Sequence, residues 1–386
     1  MRRTKTWLLV VGLLAAPLAQ AELTVGIVAP SSGGAAPLGI GMQQGIDTYF
    51  AKINAEGGVN GNQLALKAYD DQYAPLQAAK HTRDLVSDEN LLAAVGNVGT
   101  PTAAVTIPIY NQGKTLLFGA FTGAGILRRS PPDRYVINYR ASYVQETATM
   151  VDGLLSAGIQ PEEIAFFTQN DSFGDAGYNG AISAMQARGF SNTANLVHGR
   201  FTRGTRNIHQ GLATILQAPV TPRAVIIVGT FGPAADFIRE ARQDLPDTLF
   251  LNVSFVGSQA LLEELGSRRA EGVIVTQVVP PLDADLPAVE EYRQALAEYA
   301  PNAAPDFISL EGYLAAKLFV EGVKAAGSNP DREAVVDGLL SLGSIDIGVG
   351  EPLTLGPNDH QASDAVWPTV IRNGQFEPLD WASVAQ

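Results

Sequence analysis

From Glu22 onward the chain alternates short β-rich runs with longer stretches of helical spacing, and this alternation restricts the fold more than any other feature of its 386 residues. Leu23 to Ala29 reads as a buried strand closed by Pro30-Ser-Ser-Gly-Gly34. Met42, Ile46, Phe50 and Ile53 then recur at helical spacing until Gly57-Gly58 ends the helix. Leu64 to Tyr69 is the next strand, followed by a helix opened by Pro75 and running to about Ser87. The strand series continues at 92–95, 115–118, 164–168, 224–228, 248–251 and 273–278. Strands separated by helices of this length imply right-handed βαβ units and parallel sheets. Two doubly wound sheets fit the count better than one, the first reaching about Val136 and the second covering Ile164 to Val275. Helices at 307–326 and 331–340 and a strand at 366–372 must return to one lobe or the other. Facing parallel sheets place a cleft beyond the carboxyl ends of their strands, where small molecules bind.

Composition excludes several kinds of chemistry. Without a single cysteine there is no disulfide framework, thiolate zinc site, catalytic cysteine or lipid-modified N-terminal cysteine. A formal charge of −13 lacks the basic footprint of a nucleic-acid binder. Arg2, Arg3 and Lys5, the apolar run Trp7 to Ala16 and the Ala19-Gln20-Ala21 site read as a secretory signal ending at residue 21. That run is shorter than the ~20 residues a membrane span needs. Export to a bacterial periplasm is the expectation.

No nucleophile elbow, Walker loop or H-E-x-x-H motif is present, so no enzyme and no cofactor is expected. Gly39-Ile-Gly-Met-Gln-Gln-Gly45 misses dinucleotide spacing by one residue. His81, His198, His209 and His360 are far apart in sequence, and no metal site is expected. Asp70-Asp71 at a strand end suits a solvated turn better than a catalytic pair.

The loops at strand ends are more informative. Gly96-Asn-Val-Gly-Thr-Pro-Thr-Ala103 opens a helix, with Thr100 expected at the N-cap and Pro101 at the first helical position. Free N–H groups at Thr102 and Ala103 would suit a carboxylate, although an ordinary capped helix accounts for the same residues. Phe118-Gly-Ala-Phe-Thr-Gly-Ala-Gly125 would let a backbone approach a ligand, or serve tight strand–helix packing. In the second half, the loops 170–174, 229–233 and 252–257 each join an aromatic to a hydroxyl or amide residue, and Phe173, Phe231 and Phe255 could equally be core.

These features resemble the leucine/isoleucine/valine-binding family of periplasmic solute-binding proteins that serve ABC importers. The resemblance is carried by Ile53-Asn-Ala-Glu-Gly-Gly-Val-Asn-Gly61, Tyr69-Asp-Asp-Gln-Tyr-Ala-Pro75, the Gly-Thr-Pro-Thr loop and Ser172-Phe-Gly-Asp175. It continues through Ala270-Glu-Gly-Val273, Leu310-Glu-Gly-Tyr-Leu-Ala-Ala316 and Asp359-His-Gln361. It implies two α/β lobes of doubly wound parallel sheet joined by three hinge crossovers, near Tyr139–Ser142, Val275–Val279 and Ile347–Glu351. Lobe 1 would be 22–140 plus 278–348, and lobe 2 would be 141–277 plus 349–386. The implied function is capture of an amino acid or related carboxylate by a monomer that delivers it to an inner-membrane permease. A sensor subunit docking on a receptor is the alternative, and a secreted hydrolase lacks a catalytic set.

Carried over by position, the family's ligand carboxylate falls to Thr100, with Thr102 beside it. Its backbone-and-hydroxyl contacts fall to Phe121-Thr122-Gly123, its first-loop aromatic to Leu38, and its second-lobe walls to Phe173 and Phe231. The departure is Ser254, where amino-acid binders of the family place an acid. A buried ammonium without a carboxylate is costly, so either Asp171 or another acid takes that part, or the ligand lacks an ammonium.

Overall fold

The computed structural model describes residues 22–384. The signal expected over residues 1–21 lies outside the described residues. Strands β1 (Glu22–Ala29), β2 (Gln63–Asp70), β3 (Leu91–Val95), β4 (Leu116–Phe118) and β5 (Val136–Ile137) form a wholly parallel sheet in the order β2-β1-β3-β4-β5. Helices α1 (Ala36–Ala55), α2 (Pro75–Val86) and α3 (Thr100–Gln112) make its crossovers.

The chain passes through 138–142 into α4 (Tyr143–Ser156), whose entry is fixed by a capping box between Ser142 and Gln145. A second sheet follows from β6 (Ile164–Gln169), β7 (His198–Phe201), β8 (Ala224–Val228), β9 (Leu249–Asn252) and β10 (Ile274–Gln277). Between these strands lie α5 (Ser172–Ala187), α6 (His209–Leu216), α7 (Phe231–Asp244), α8 (Ser258–Leu265) and the short α9 (Ser267–Ala270). Every residue of β6, β8 and β10 is buried, as parallel strands covered on both faces must be.

Residues 278–286 lead back to α10 (Pro287–Tyr299), α11 (Phe307–Ala325) and α12 (Arg332–Leu340), and α11 packs on α1. The two helices meet backbone to backbone: a Cβ on Gly45 would lie 1.9 Å from the Ser309 carbonyl oxygen, and one on Gly312 2.4 Å from that of Met42. Gly39 is equally confined, by the Pro30 carbonyl at 2.0 Å. Gly39 and Gly45 are therefore positions of close packing, the first against the Pro30 loop and the second against α11.

A small hairpin, β11 (Gly343–Ile345) with β12 (Leu353–Leu355), precedes the return to the second sheet. Ile347–Glu351 forms the link of that hairpin, and a Cβ on its Gly348 would meet the Ala288 nitrogen at 3.0 Å. The segment running beside the first crossover is 360–363. Asn138 N–H donates to the His360 carbonyl (2.7 Å), and Ala362 and Ser363 N–H donate to those of Asn138 (2.9 Å) and Tyr139 (2.8 Å). Strand β13 (Trp367–Arg372) then adds antiparallel to β10 and β14 (Gln375–Pro378) antiparallel to β13, giving the order β14-β13-β10-β9-β8-β6-β7. Among the described residues no helix is long and apolar enough to cross a membrane.

Candidate functional site

The carboxyl-end loops of the two sheets face each other and form two compartments. The inner one holds most of the residues expected from sequence. Gly99 is the N-cap of α3, with φ of 105°, and a Cβ there would lie 2.4 Å from the Tyr73 ring. Thr100 is thus the first helical residue and not the cap. Its hydroxyl pairs with that of Thr122 at 2.7 Å, and both residues are buried. Thr102 spends its hydroxyl on the Val98 and Gly99 carbonyls, and Ala103 N–H donates to Gly99 O at 3.0 Å. Of the two backbone donors expected to be free at 102–103, Ala103 N–H is therefore occupied, because Gly99 turns its carbonyl into the first helical bond.

The ring of Phe255 fills the middle of this compartment. Its centroid lies 5.1 Å from Phe121, 4.6 Å from Phe173 and 6.1 Å from Tyr73. Tyr143 follows behind Phe173 at 5.4 Å. Gly123 gives room for Tyr143, whose N–H donates to the Gly123 carbonyl at 2.8 Å. A Cβ on Gly123 would stand 2.6 Å from that nitrogen. Aromatic rings at these separations form a cohesive cluster. Leu38 is fully buried beside it, where a Cβ on Gly257 would meet its side chain at 2.7 Å.

Behind the rings, the first crossover buries an arginine. Arg140 donates to Glu146 Oε1 at 2.9 Å and to the Ser254 hydroxyl, stands 3.5 Å from Glu311, and lies 5.0 Å from the Phe121 ring centroid. Glu146 also accepts from Ser254 N–H (2.7 Å), Ser254 Oγ (3.0 Å) and Thr276 Oγ1 (2.7 Å). The serine that replaces an expected acid is therefore backed by an acid from α4, and that acid is already saturated. Burial pushes Glu311 up to about 7, with the Glu146 charge adding to it and Arg140 opposing it. Nearby, Arg128 donates to the Thr122, Ala124 and Arg140 carbonyls (3.3, 3.1 and 2.9 Å) and to Gln361, tying the Thr122 loop to both crossovers.

The outer compartment is a cavity of about 550 Å³ between the lobes. Residues 33–35, 37 and 72–74 line it from the first lobe, and 169, 203–206, 230–233 and 264 from the second. Of the nine positions expected from sequence, Phe231 alone lines this cavity. Gln72 and Tyr73 have φ of 53° and 59°, a conformation sustained by Asp71 Oδ1 accepting the Tyr73 N–H at 2.8 Å. The Tyr73 hydroxyl is buried and has no hydrogen-bond partner. Two arginines on the 203–206 loop differ sharply. Arg206 is held by Asp236 (2.6 and 2.9 Å) and Glu264 (3.1 and 2.9 Å), whereas Arg203 makes no hydrogen bond, its nearest carboxylate being Asp171 at 3.8 Å. Asp171, considered above as an ammonium partner, caps α5 by accepting from Phe173 N–H (3.0 Å) and also accepts from Gln169 (2.8 Å).

Tyr73, Gln169 and Arg203 are absent from the positions expected from sequence. Tyr73 lies within the 69–75 motif. Arg203 follows β7, a four-residue edge strand too short to show in the sequence pattern, so its loop carries no signal of lying at a strand end. Among the described residues no group of three or more His, Asp or Glu is placed to hold a metal ion.

Two α/β lobes with a ligand-sized cavity between their strand ends define a cleft-binding protein. Residues 22–375 match the family model for the periplasmic binding protein, and the chain belongs to that family, which consists of substrate-binding proteins and not enzymes. It is 46% identical to a possible leucine/isoleucine/valine-binding protein of Rhodopirellula baltica SH 1, with a TM-score of 0.92 over 96% of this chain and 99% of that one. It is 24% identical over 357 residues to a Leu/Ile/Val-binding protein of Rhizobium johnstonii, covering 90% of this chain and 92% of the relative. A solute-binding protein of an R. palustris ABC transporter, solved with benzoate, shares the fold at 20% identity and a TM-score of 0.79, over 93% and 96% of the two chains.

Proposed function

We propose that this protein is the periplasmic substrate-binding component of an ABC import system and captures a small carboxylate between its lobes. The observation that carries this reading is the cavity of about 550 Å³ lined from both sheets, within the range that small-molecule sites occupy. A ligand touching both lobes binds the closed arrangement more tightly than the open one and shifts the balance toward it. The permease then distinguishes loaded from empty protein by shape. The saturation of Glu146 and the capping engagement of Asp171 support a ligand without an ammonium group. That one protein of this fold holds benzoate agrees with such a ligand.

A second reading, a branched-chain amino acid, is favoured by the names of the relatives. A thermal-shift screen on protein unfolded and refolded to strip carried-over ligand separates the two. The panel comprises the twenty amino acids, aromatic and aliphatic carboxylates, their amides and polyamines. Ligand at 100 times its dissociation constant adds about 2.7 kcal/mol, a shift of several degrees. The first reading expects that shift with carboxylates. A shift confined to leucine-like amino acids would replace it with the second, and no shift with any member of the panel would overturn both.

A further inference from the structure

The outer cavity holds recognition chemistry that the rest of the protein leaves unused. Three acids stand at or near it, and each faces an arginine or serves a cap: Glu264 and Asp236 hold Arg206, and Asp171 caps α5. Asp71, although its Oδ2 is unpartnered, is fully buried under α3 and does not line the cavity. No unpaired carboxylate is therefore presented to the cavity among the described residues. On the donor side the balance is the reverse. Arg203 is charged, lines the cavity and makes no hydrogen bond, and the buried Tyr73 hydroxyl opposite also lacks a partner. Arg203 comes from the second lobe and Tyr73 from the first. Phe231 and Pro37 supply apolar walls from each side.

We propose that this cavity is the ligand seat and that Arg203 and Tyr73 together take the anionic head of an apolar monocarboxylate whose body lies against Phe231, while the Phe255 ring fills the inner compartment. The inference rests on the import-binder reading and moves its anchor from Thr100 to the opposite end of the cleft. A planar guanidinium offers paired donors to a carboxylate, and a buried hydroxyl without a partner gains the full value of one supplied by a ligand. Because the two donors belong to different lobes, one carboxylate bridging them links binding to closure.

The test is calorimetric titration of the refolded protein with benzoate and 4-methylpentanoate, each beside its neutral amide, and with L-leucine. Wild-type protein should prefer each carboxylate to its amide by roughly ten- to a hundredfold, the span of one charge-assisted hydrogen bond. Arg203→Gln should erase that preference, and Arg203→Lys should restore part of it. Tyr73→Phe should weaken the carboxylate by a smaller factor and leave the amide nearly unchanged. Arg203 is about one-third exposed and its loop carries no core packing, so these variants should fold as the parent does. A carboxylate preference that survives Arg203→Gln, or binding of L-leucine without binding of either carboxylate, overturns this proposal and leaves the import-binder reading standing. Failure of every compound in the wider screen would remove both.

Discussion

The two compartments of the cleft sit side by side and are built in opposite ways. In the inner one most strong polar groups have partners: Thr100 has Thr122, Glu146 has Arg140, Ser254 and Thr276, and aromatic rings close the space, while Arg140 Nε and the Tyr143 hydroxyl make no hydrogen bond. In the outer one a guanidinium that makes no hydrogen bond, with Asp171 at 3.8 Å, and an unpartnered phenol hydroxyl face a cavity. Buried polar groups are normally satisfied, so an unpartnered one that also lines a cavity points to recognition, and of these hydroxyls Tyr73 lines the outer cavity while Tyr143 does not. Residues that look like binding groups by type, the threonines above all, serve packing here.

That contrast can be broken most forcefully at Glu146. Glu146→Ala would leave Arg140 buried and facing only Glu311, with an expected loss of about 3–5 kcal/mol measured by denaturant melts. A loss below ~1 kcal/mol would show that the inner compartment is not held by this pair. Phe255→Ala should cost about 3–4 kcal/mol and hollow out the inner compartment. The variant should then accept bulkier carboxylates than the parent, and unchanged ligand selectivity would count against Phe255 as the filler.

A further effect appears with pH. Glu311 in the folded protein titrates at about 7, above its usual 4.5, so the native state holds a proton that the unfolded chain has released. Its contribution is present below the unfolded value and is lost as pH rises from about 4.5 through about 7. Asp71, at about 7, and Asp306, at about 6, act in the same direction, burial being the main cause in each. Glu311→Gln should flatten the fall in melting temperature across this window, and a profile as steep as the parent's would contradict the assignment. Least of all, Thr100→Val should cost about 1 kcal/mol of stability through the lost hydroxyl pair and change carboxylate affinity less than twofold. A tenfold loss of affinity would return the anchor to Thr100.

The sequence revealed the sheets more readily than the site. Buried runs such as Ala224–Val228, the stop at Gly57-Gly58 and the helix start at Pro75 mark elements directly, because hydrophobic period and turn chemistry act locally. Strand β13 is visible in the sequence, but its antiparallel pairing, the four-residue β14 and the edge strand β7 carry no such signal, since short strands gain their definition from neighbours. At the site, residue type pointed to Thr100 and Ser254, and both are indeed at the facing strand ends. Whether a hydroxyl is spent or free depends on partners 22 positions away for Thr100 and 108 for Ser254, which no local pattern contains. Arg203 and Arg206 read identically in sequence and differ only because α7 and α8 bring Asp236 and Glu264 to the second of them.

Hydrogen exchange of the refolded protein, with and without the tightest-binding carboxylate of the screen, tests the placement of recognition most directly. The outer-cavity account predicts new protection at 72–74, 203–206 and 230–233, with the amides of 99–103 and 121–124 already slow and changing little. Protection gained at 99–103 and 121–124 without any at 203–206 would contradict it.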